Sequence, residues 1–168
     1  MASPAEILSR LYRAGVAAAA PGPALTAALD RVGFPDRPVW ILAVGKAAPA
    51  MAMAAADHLR ARGLAPAGGV VVAPERREMP PGLQLVVGDH PFPGPGSLAA
   101  AEAIGEVAER VDPSGQAWVL LSGGATSLAA GPVPGIPAAD LHRLYRLLLS
   151  SGLDIARMNT VRKRFSRW

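Results

Sequence analysis

The feature that most constrains the fold is a series of short apolar runs separated by segments with helical patterns. The runs span residues 39–44, 69–72, 83–87 and 117–121. The first, VWILAV, is continuous rather than alternating, which is typical of a strand buried on both faces. Helical patterns at 47–62, 97–110 and 138–150 lie between or after the runs. We therefore predict an α/β fold: a doubly wound, mostly parallel, Rossmann-like sheet with helices on both faces.

Helix-start signals place the first and last helices. Ser3, Pro4 and Glu6 form a capping-box pattern that opens a helix over 3–20. Ser97 is the predicted cap of the helix at 97–110, and Asp154 that of the last helix, in which the chain ends. We expect residues 1–168 to form one N-terminal domain of a longer protein, because a sequence that stops within a helix is incomplete.

Charge and composition bear on partners and location. The net charge is +4, but the last twelve residues hold five cations and no acid, and removing these five leaves −1 for the rest. A nearly neutral body does not indicate nucleic-acid binding. There is no cysteine, no signal-peptide pattern and no apolar stretch long enough for a membrane span. We therefore expect a soluble cytoplasmic protein with no nucleic-acid or membrane partner.

Three segments with unusual chemistry follow predicted strands. Lys46 comes after the first strand, Asp89 and His90 after the third, and the sequence SGGATS at 122–127 after the fourth. In a parallel sheet the loops after the strands' carboxyl ends share one edge, and ligands bind there. These groups are therefore expected to converge.

The 122–127 segment has the composition of an anion-binding turn. Gly123 and Gly124 free the backbone to direct N–H groups at one point, and hydroxyls at Ser122, Thr126 and Ser127 add donors. Lys46 would neutralise phosphoryl oxygens as a compact charge. The alternatives are a tight turn that binds nothing and an ordinary solvated lysine. Neither a Walker A motif nor a G-x-G-x-x-G dinucleotide fingerprint is present at the first turn.

Two further sets of residues remain open. Asp89 and His90 could bind metal or substrate or relay a proton, or they could fasten their own loop by hydrogen bonds. Asn159, Arg162 and Lys163 lie three and four residues apart, so one helical face can present them to an anion, although a solvated basic helix would look the same. No residue is assigned as a metal ligand. His58 and His142 are interpreted as structural.

Four motifs together resemble the bacterial glycerate 2-kinases, which are often labelled hydroxypyruvate reductases. They are VGKAAPAMA, GDHPFPGPGS, LLSGGATSL and LLLSSGLDIARMNTVRKRFS, in the family's order. The resemblance implies ATP- and Mg²⁺-dependent phosphorylation of the 2-hydroxyl of D-glycerate, giving 2-phosphoglycerate. It also implies a Rossmann-like first domain and a C-terminal domain, absent from this chain, with the active site in the cleft between them. We expect the 168 residues alone to be inactive.

The resemblance also suggests roles for individual residues. Lys46 matches the family's active-site lysine. The family's serine-glycine loop corresponds to Ser122, Gly123, Gly124 and Thr126. Its NTVRKHLS helix corresponds to Asn159, Arg162, Lys163 and Ser166. Ala125 stands where relatives have a third glycine, and its Cβ is expected to restrict φ and loosen the turn. Gly94 replaces an acid. Two rival functions are an NAD(P)H-dependent hydroxypyruvate reductase and a non-catalytic anion-binding module.

Overall fold

The computed structural model describes residues 2–33, 35–111 and 113–168. Within these residues helices and strands alternate largely as the sequence indicated. In chain order the elements are α1 (Pro4–Ala18), α2 (Pro21–Val32), β1 (Val39–Val44), α3 (Ala48–Arg60), β2 (Gly68–Ala73), β3 (Leu83–Val87), α4 (Pro95–Arg110), β4 (Gln116–Leu121), α5 (Ala125–Leu128), α6 (Ala138–Ser150) and α7 (Ile155–Phe165).

The four strands form one parallel sheet in the order β3-β2-β1-β4. Leu42 in β1 pairs with Val70 in β2 on one side and with Val119 in β4 on the other. The first strand in the sequence therefore lies inside the sheet, between two parallel neighbours. The prediction of a parallel α/β sheet is confirmed, and it places the carboxyl ends of all four strands along one edge.

Helices cover both faces of this sheet, which accounts for the continuous apolar run in β1. Ile41 and Ala43 point to one face and join a buried cluster with residues of α2 and α3, including Leu29 and Leu59. Leu42 and Val44 point to the other face and join a second buried cluster, which includes residues of α4 and α5. A strand with helices on both sides buries successive side chains rather than alternate ones.

A third, smaller cluster holds α6 and α7 against the segment after β4. It contains Ala130, Leu141 and Tyr145, all nearly or fully buried, with Leu144 and Phe165 packed against them. The loop at residues 131–137 is tied to the end of α7, since the Val133 N–H donates to the Phe165 carbonyl over 3.1 Å. The last helix thus lies beside the segment that follows β4.

The helix caps agree with the sequence at two of three positions. Ser3 and Glu6 form the reciprocal capping box, and the Asp154 side chain accepts from the Arg157 N–H. The prediction for Ser97 is wrong: α4 begins at Pro95 with Gly94 as its N-cap, and Ser97 lies fully buried in the first turn. The chain also does not stop inside a helix, because α7 ends at Phe165.

Two apolar surfaces have no cover in the part of the chain that the structure describes. None of the residues of α1 is buried, and its apolar stripe, which includes Leu8 and Leu11, is exposed. On β4, the strand at the sheet edge, Val119 and Leu121 are 61% and 62% exposed. No described helix is long and apolar enough to cross a bilayer.

Candidate anion-binding site at the sheet edge

The corners that follow β1 and β4 are joined by backbone and side-chain hydrogen bonds. The Lys46 N–H donates to the Gly123 carbonyl over 2.9 Å, and the Ala47 N–H donates to Ser122 Oγ over 3.0 Å. Gly45 makes this approach possible. It has a φ of 129°, and a Cβ there would lie 2.6 Å from the Ser122 carbonyl oxygen. Lys46 and the Ser122 turn therefore meet at one edge, as the sequence indicated.

The corner that follows β3 reaches the same turn. Gly88 lies against the backbone of Leu128, and the His90 ring lies beside Gly124. Gly124 has a φ of +90°, and a Cβ there would come within 3.0 Å of His90 Cδ2. Both its backbone conformation and its contact with the imidazole thus require glycine. The predicted convergence of three corners is confirmed.

Several polar groups at this edge point to no partner among the described residues. The backbone N–H groups of residues 123–126 make no hydrogen bond there, and neither does the Thr126 hydroxyl. The Lys46 ammonium has no ion pair with a described acid. Gly123, Thr126 and Lys46 are all exposed. An exposed cation and unbonded amides at the same sheet edge suit an oxyanion.

The electrostatics around His90 fit a site poised for negative charge. Slight burial of the exposed ring, and then the charge of Lys46, lower the pKa of His90 from its ordinary value. A lowered pKa keeps the imidazole neutral near pH 7, so that it can accept a hydrogen bond as well as donate one. Of these two residues, Lys46 is therefore the one that carries positive charge.

Two of the predicted donor hydroxyls already have partners within the protein. Ser122 Oγ accepts from the Ala47 N–H, and Ser127 Oγ donates to the Gly124 carbonyl over 3.1 Å. Ser127 is also buried. Both hydroxyls hold the shape of the turn, and their role as ligand donors stays a prediction. The expectation about Ala125 is wrong, because Ala125 begins α5 and no non-glycine residue among those described has a positive φ.

Asp89 fastens its own loop to the start of α4. Asp89 Oδ2 accepts from the Ser97 N–H over 3.1 Å, and the Asp89 N–H donates to Ser97 Oγ over 3.0 Å. A Cβ on Gly94 would lie 2.8 Å from Asp89 Oδ2. Gly94 has no side chain to cap α4, and the carboxylate of Asp89, five residues upstream, takes this role. Its roles in metal or ligand binding stay predictions.

The described residues offer no ready-made magnesium site. No three His, Asp or Glu side chains come together anywhere in the described ranges. The one carboxylate near the edge, Asp89, is engaged with Ser97. Mg²⁺ is bound through carboxylate and other oxygens, usually together with substrate phosphates. The described residues thus bring no cluster of carboxylates to an Mg²⁺ ion, and a contact between Asp89 and Mg²⁺ stays a prediction.

The three candidates on α7 have different surroundings. Lys163 is exposed and Asn159 half-buried. Arg162 is only 7% exposed, and its guanidinium lies 4.5 Å from the centre of the Tyr145 ring. Arg162 Nη1 donates to Asn159 Oδ1 over 3.4 Å. The sequence therefore did not predict that Arg162 faces the interior; whether any of the three binds a ligand stays a prediction.

His58 and His142 have contacts of a structural kind. His58 is buried between α3 and the sheet, with Nδ1 3.6 Å from Asp30 Oδ1 and its ring edge-on to Trp118. His142 Nδ1 lies 2.8 Å from the Pro93 carbonyl and ties α6 to the loop after β3. Because a carbonyl only accepts, His142 Nδ1 carries the proton.

Tyr145 is the residue near the site that sequence reasoning missed. It is fully buried, and its hydroxyl donates to the Thr126 carbonyl over 2.7 Å. Nothing in the local pattern of α6 distinguishes this tyrosine from an ordinary core residue. Its role depends on a contact across 19 positions of the chain.

Comparison with known proteins identifies the family of the chain. A family described as a domain of unknown function (DUF4147) matches residues 7–168. A protein of Agrobacterium vitis named "Putative hydroxypyruvate reductase" is 34% identical over 96% of this chain and 36% of its own length. A Thermotoga maritima protein named D-glycerate 2-kinase is 30% identical over 96% of this chain and 38% of its own length.

A solved structure extends the comparison to three dimensions. The crystal structure of a glycerate kinase from Thermotoga maritima superposes with a TM-score of 0.76 at 30% identity, covering 92% of this chain and 37% of that one. The chain thus spans little more than a third of the length of these relatives. With the family match over nearly all of its residues, the chain belongs to the DUF4147 domain family, which it shares with relatives named glycerate 2-kinase.

Proposed function

We propose that this chain is the N-terminal, Rossmann-like part of a two-domain glycerate 2-kinase, which transfers a phosphoryl group from ATP to the 2-hydroxyl of D-glycerate and gives 2-phosphoglycerate. The observation that carries the proposal is the meeting of Lys46 with the free amides of residues 123–126 at the sheet edge. Relatives named glycerate kinase support the substrate class. Glycerate and ATP would be its ligands, in the cytoplasm.

Phosphoryl transfer depends mainly on positioning and on neutralising charge, and these groups can do both. The amides of residues 123–126 and the Thr126 hydroxyl would hold anionic oxygens of the nucleotide or of glycerate. Lys46 would stabilise the negative charge that is shared among the phosphoryl oxygens during transfer. His90, neutral beside Lys46, can accept a hydrogen bond from a substrate hydroxyl. Arg162 and Lys163 would add positive potential.

Magnesium would reach this site with the nucleotide. When bound, Mg²⁺ neutralises phosphate charge in reactions of this class. The described carboxylates offer it no cluster. We therefore assign no step to a protein ligand of the metal.

A kinetic experiment tests the proposal. In the two-domain protein that carries this chain, Lys46→Met removes the ammonium and keeps the length of the side chain. Removal of one electrostatic donor typically lowers the rate about 10² to 10³-fold, and glycerate-dependent ADP formation should fall by that factor. Arg10→Met on exposed α1 is the matched control and should leave the rate unchanged. Near-normal turnover in Lys46→Met would refute the assignment.

Two alternative functions can be distinguished from the kinase by experiment. The A. vitis relative's name suggests an NAD(P)H-dependent hydroxypyruvate reductase, although the first strand–helix turn lacks the dinucleotide fingerprint. Loss of nicotinamide absorbance on adding hydroxypyruvate would favour the reductase. Binding of ATP without turnover by the two-domain protein would favour a non-catalytic anion-binding module.

A further inference from the structure

We propose that Tyr145 is a positioning residue for the Gly123–Thr126 amides, and that Arg162 holds the Tyr145 ring in place from α7. The proposal rests on the proposed function in that it takes these amides to be the anion site. It gives Arg162 a role through Tyr145 rather than through contact with a ligand. It also accounts for a buried arginine that has no acid beside it.

The turn that carries the amides cannot hold its shape alone. α5 has only four residues, and a single helical turn does not recover the cost of its nucleation. Its last carbonyls have no partner within the helix. Among the described residues, no backbone N–H reaches the Thr126 carbonyl, whereas the Tyr145 hydroxyl donates to it over 2.7 Å. The phenol thus supplies a hydrogen bond that the short helix lacks.

Burial favours the protonated, donating form of this phenol. Tyr145 is fully buried in the third cluster, and burial raises the pKa of its hydroxyl, more than the nearby charge of Arg162 and the bond to Thr126 lower it. The hydroxyl therefore keeps its proton well beyond neutral pH. A donor that is fixed in a buried cluster fixes the carbonyl it contacts, and with it the start of α5.

Arg162 is placed to restrain the ring. Its guanidinium covers one face of Tyr145 at 4.5 Å, its Nη1 reaches only Asn159, and its buried Nε has no hydrogen-bond partner within the described ranges. No described acid lies within ion-pair range. A buried cation without a carboxylate is costly, and the contact with an aromatic face is the main compensation the described residues provide.

The expected consequence is a loss of alignment rather than a loss of charge. Binding groups must hold their geometry to within about 0.5 Å and 10–20° to work together. Without the phenol, the Thr126 carbonyl is left unsatisfied and α5 can open. We expect Tyr145→Phe to weaken the binding of inorganic phosphate to this chain about tenfold, the effect of losing one buried hydrogen bond.

Two measurements on the 168-residue chain test the proposal. The first is amide hydrogen exchange at Leu128 and Ala129 without ligand, relative to the exchange of β1 amides. The second is the phosphate dissociation constant from NMR titration. Tyr145→Phe should accelerate amide exchange at Leu128 and Ala129 about tenfold and raise the phosphate dissociation constant about tenfold. Tyr12→Phe on exposed α1 is the chemical control and should change neither.

Two further variants separate positioning from general destabilisation. Val107→Ala in the second core cluster should lower global stability while leaving phosphate affinity unchanged. Arg162→Met should weaken phosphate binding while global stability stays equal or rises, because it removes a buried charge that has no carboxylate partner. Arg162→Lys should restore part of the affinity. A purely structural role would move stability and affinity in the same direction.

The outcomes distinguish this proposal from the proposed function. If the unsubstituted chain binds no phosphate, the anion site itself fails, while hydrogen exchange at α5 still decides the role of Tyr145. If phosphate binds and Tyr145→Phe changes neither exchange nor affinity, the positioning proposal is overturned and the site survives. Equal losses of affinity in Val107→Ala and Tyr145→Phe would also overturn it.

Discussion

Substitution of Gly45 tests how closely the corners after β1 and β4 approach each other. Gly45→Ala forces a side chain into a φ of 129°, a region open almost only to glycine, which costs about 1–3 kcal/mol. The new Cβ would also lie 2.6 Å and 2.7 Å from the carbonyl oxygen and carbon of Ser122. Because these are backbone atoms in a bonded sheet, the two corners must separate, at an overpacking cost of about 1–3 kcal/mol.

The two terms together predict that Gly45→Ala lowers the free energy of unfolding by about 2–6 kcal/mol. With a urea m-value of about 2 kcal/mol/M, the unfolding midpoint falls by about 1–3 M. Gly63→Ala is the first control, since it has a φ of +73° and open space around its Cβ, and should cost only about 1–2 kcal/mol. Gly123→Ala has open space and no positive φ, and should be close to neutral.

This series isolates the contact from the backbone strain. If Gly45→Ala costs no more than Gly63→Ala, the Ser122 corner does not lie against Gly45, and the geometry of the proposed site is wrong. A large change in m-value would instead report a change in the compactness of the native or unfolded state.

Two further predictions concern the loop after β3. Asp89→Ala removes the capping carboxylate of α4 and should lower the free energy of unfolding by about 1 kcal/mol, or the melting temperature by about 2–4 °C. Glu75→Ala, which removes an exposed ion pair, is the control and should have little effect. An unchanged melting temperature in Asp89→Ala would contradict the capping role. Lys46→Met should raise the pKa of His90, measured by NMR titration, because Lys46 is one cause of its lowering. Since the pKa of His90 is lowered in the folded state, His90 destabilises the fold only as the pH falls below the pKa that it has in the unfolded chain. This pH dependence of stability should shrink in Lys46→Met. An unchanged His90 pKa would show that the ammonium lies far from the ring.

The sequence predicted those parts of the fold that depend on neighbouring residues. The continuous run VWILAV indicated a strand buried on both faces, and the first two core clusters, one on each face of β1, confirm this. Ser3 and Asp154 cap helices because their partners lie three residues away. The convergence of Lys46 with the Ser122 turn followed from a general property of parallel sheets rather than from any contact visible in the sequence.

The features that the sequence did not predict depend on distant contacts. Ser97 was predicted as a cap, but a carboxylate eight residues upstream draws it into the first turn of α4. Ser122 reaches across 75 positions to Ala47, and this contact engages a hydroxyl that appeared free. α5 was not predicted at all, because four residues are too few to show a helical pattern. The helix depends on tertiary contacts, namely the hydrogen bond from Tyr145 and the burial of Leu128.

The most direct test of the central claim is an NMR titration of the 168-residue chain with ADP, following every assigned backbone amide and the Lys46 ammonium. The account predicts that the largest saturable shifts occur at the amides of residues 123–126 and at Lys46. Shifts confined to the exposed basic residues of α7, such as Lys163 and Arg164, with residues 123–126 unmoved, would contradict it.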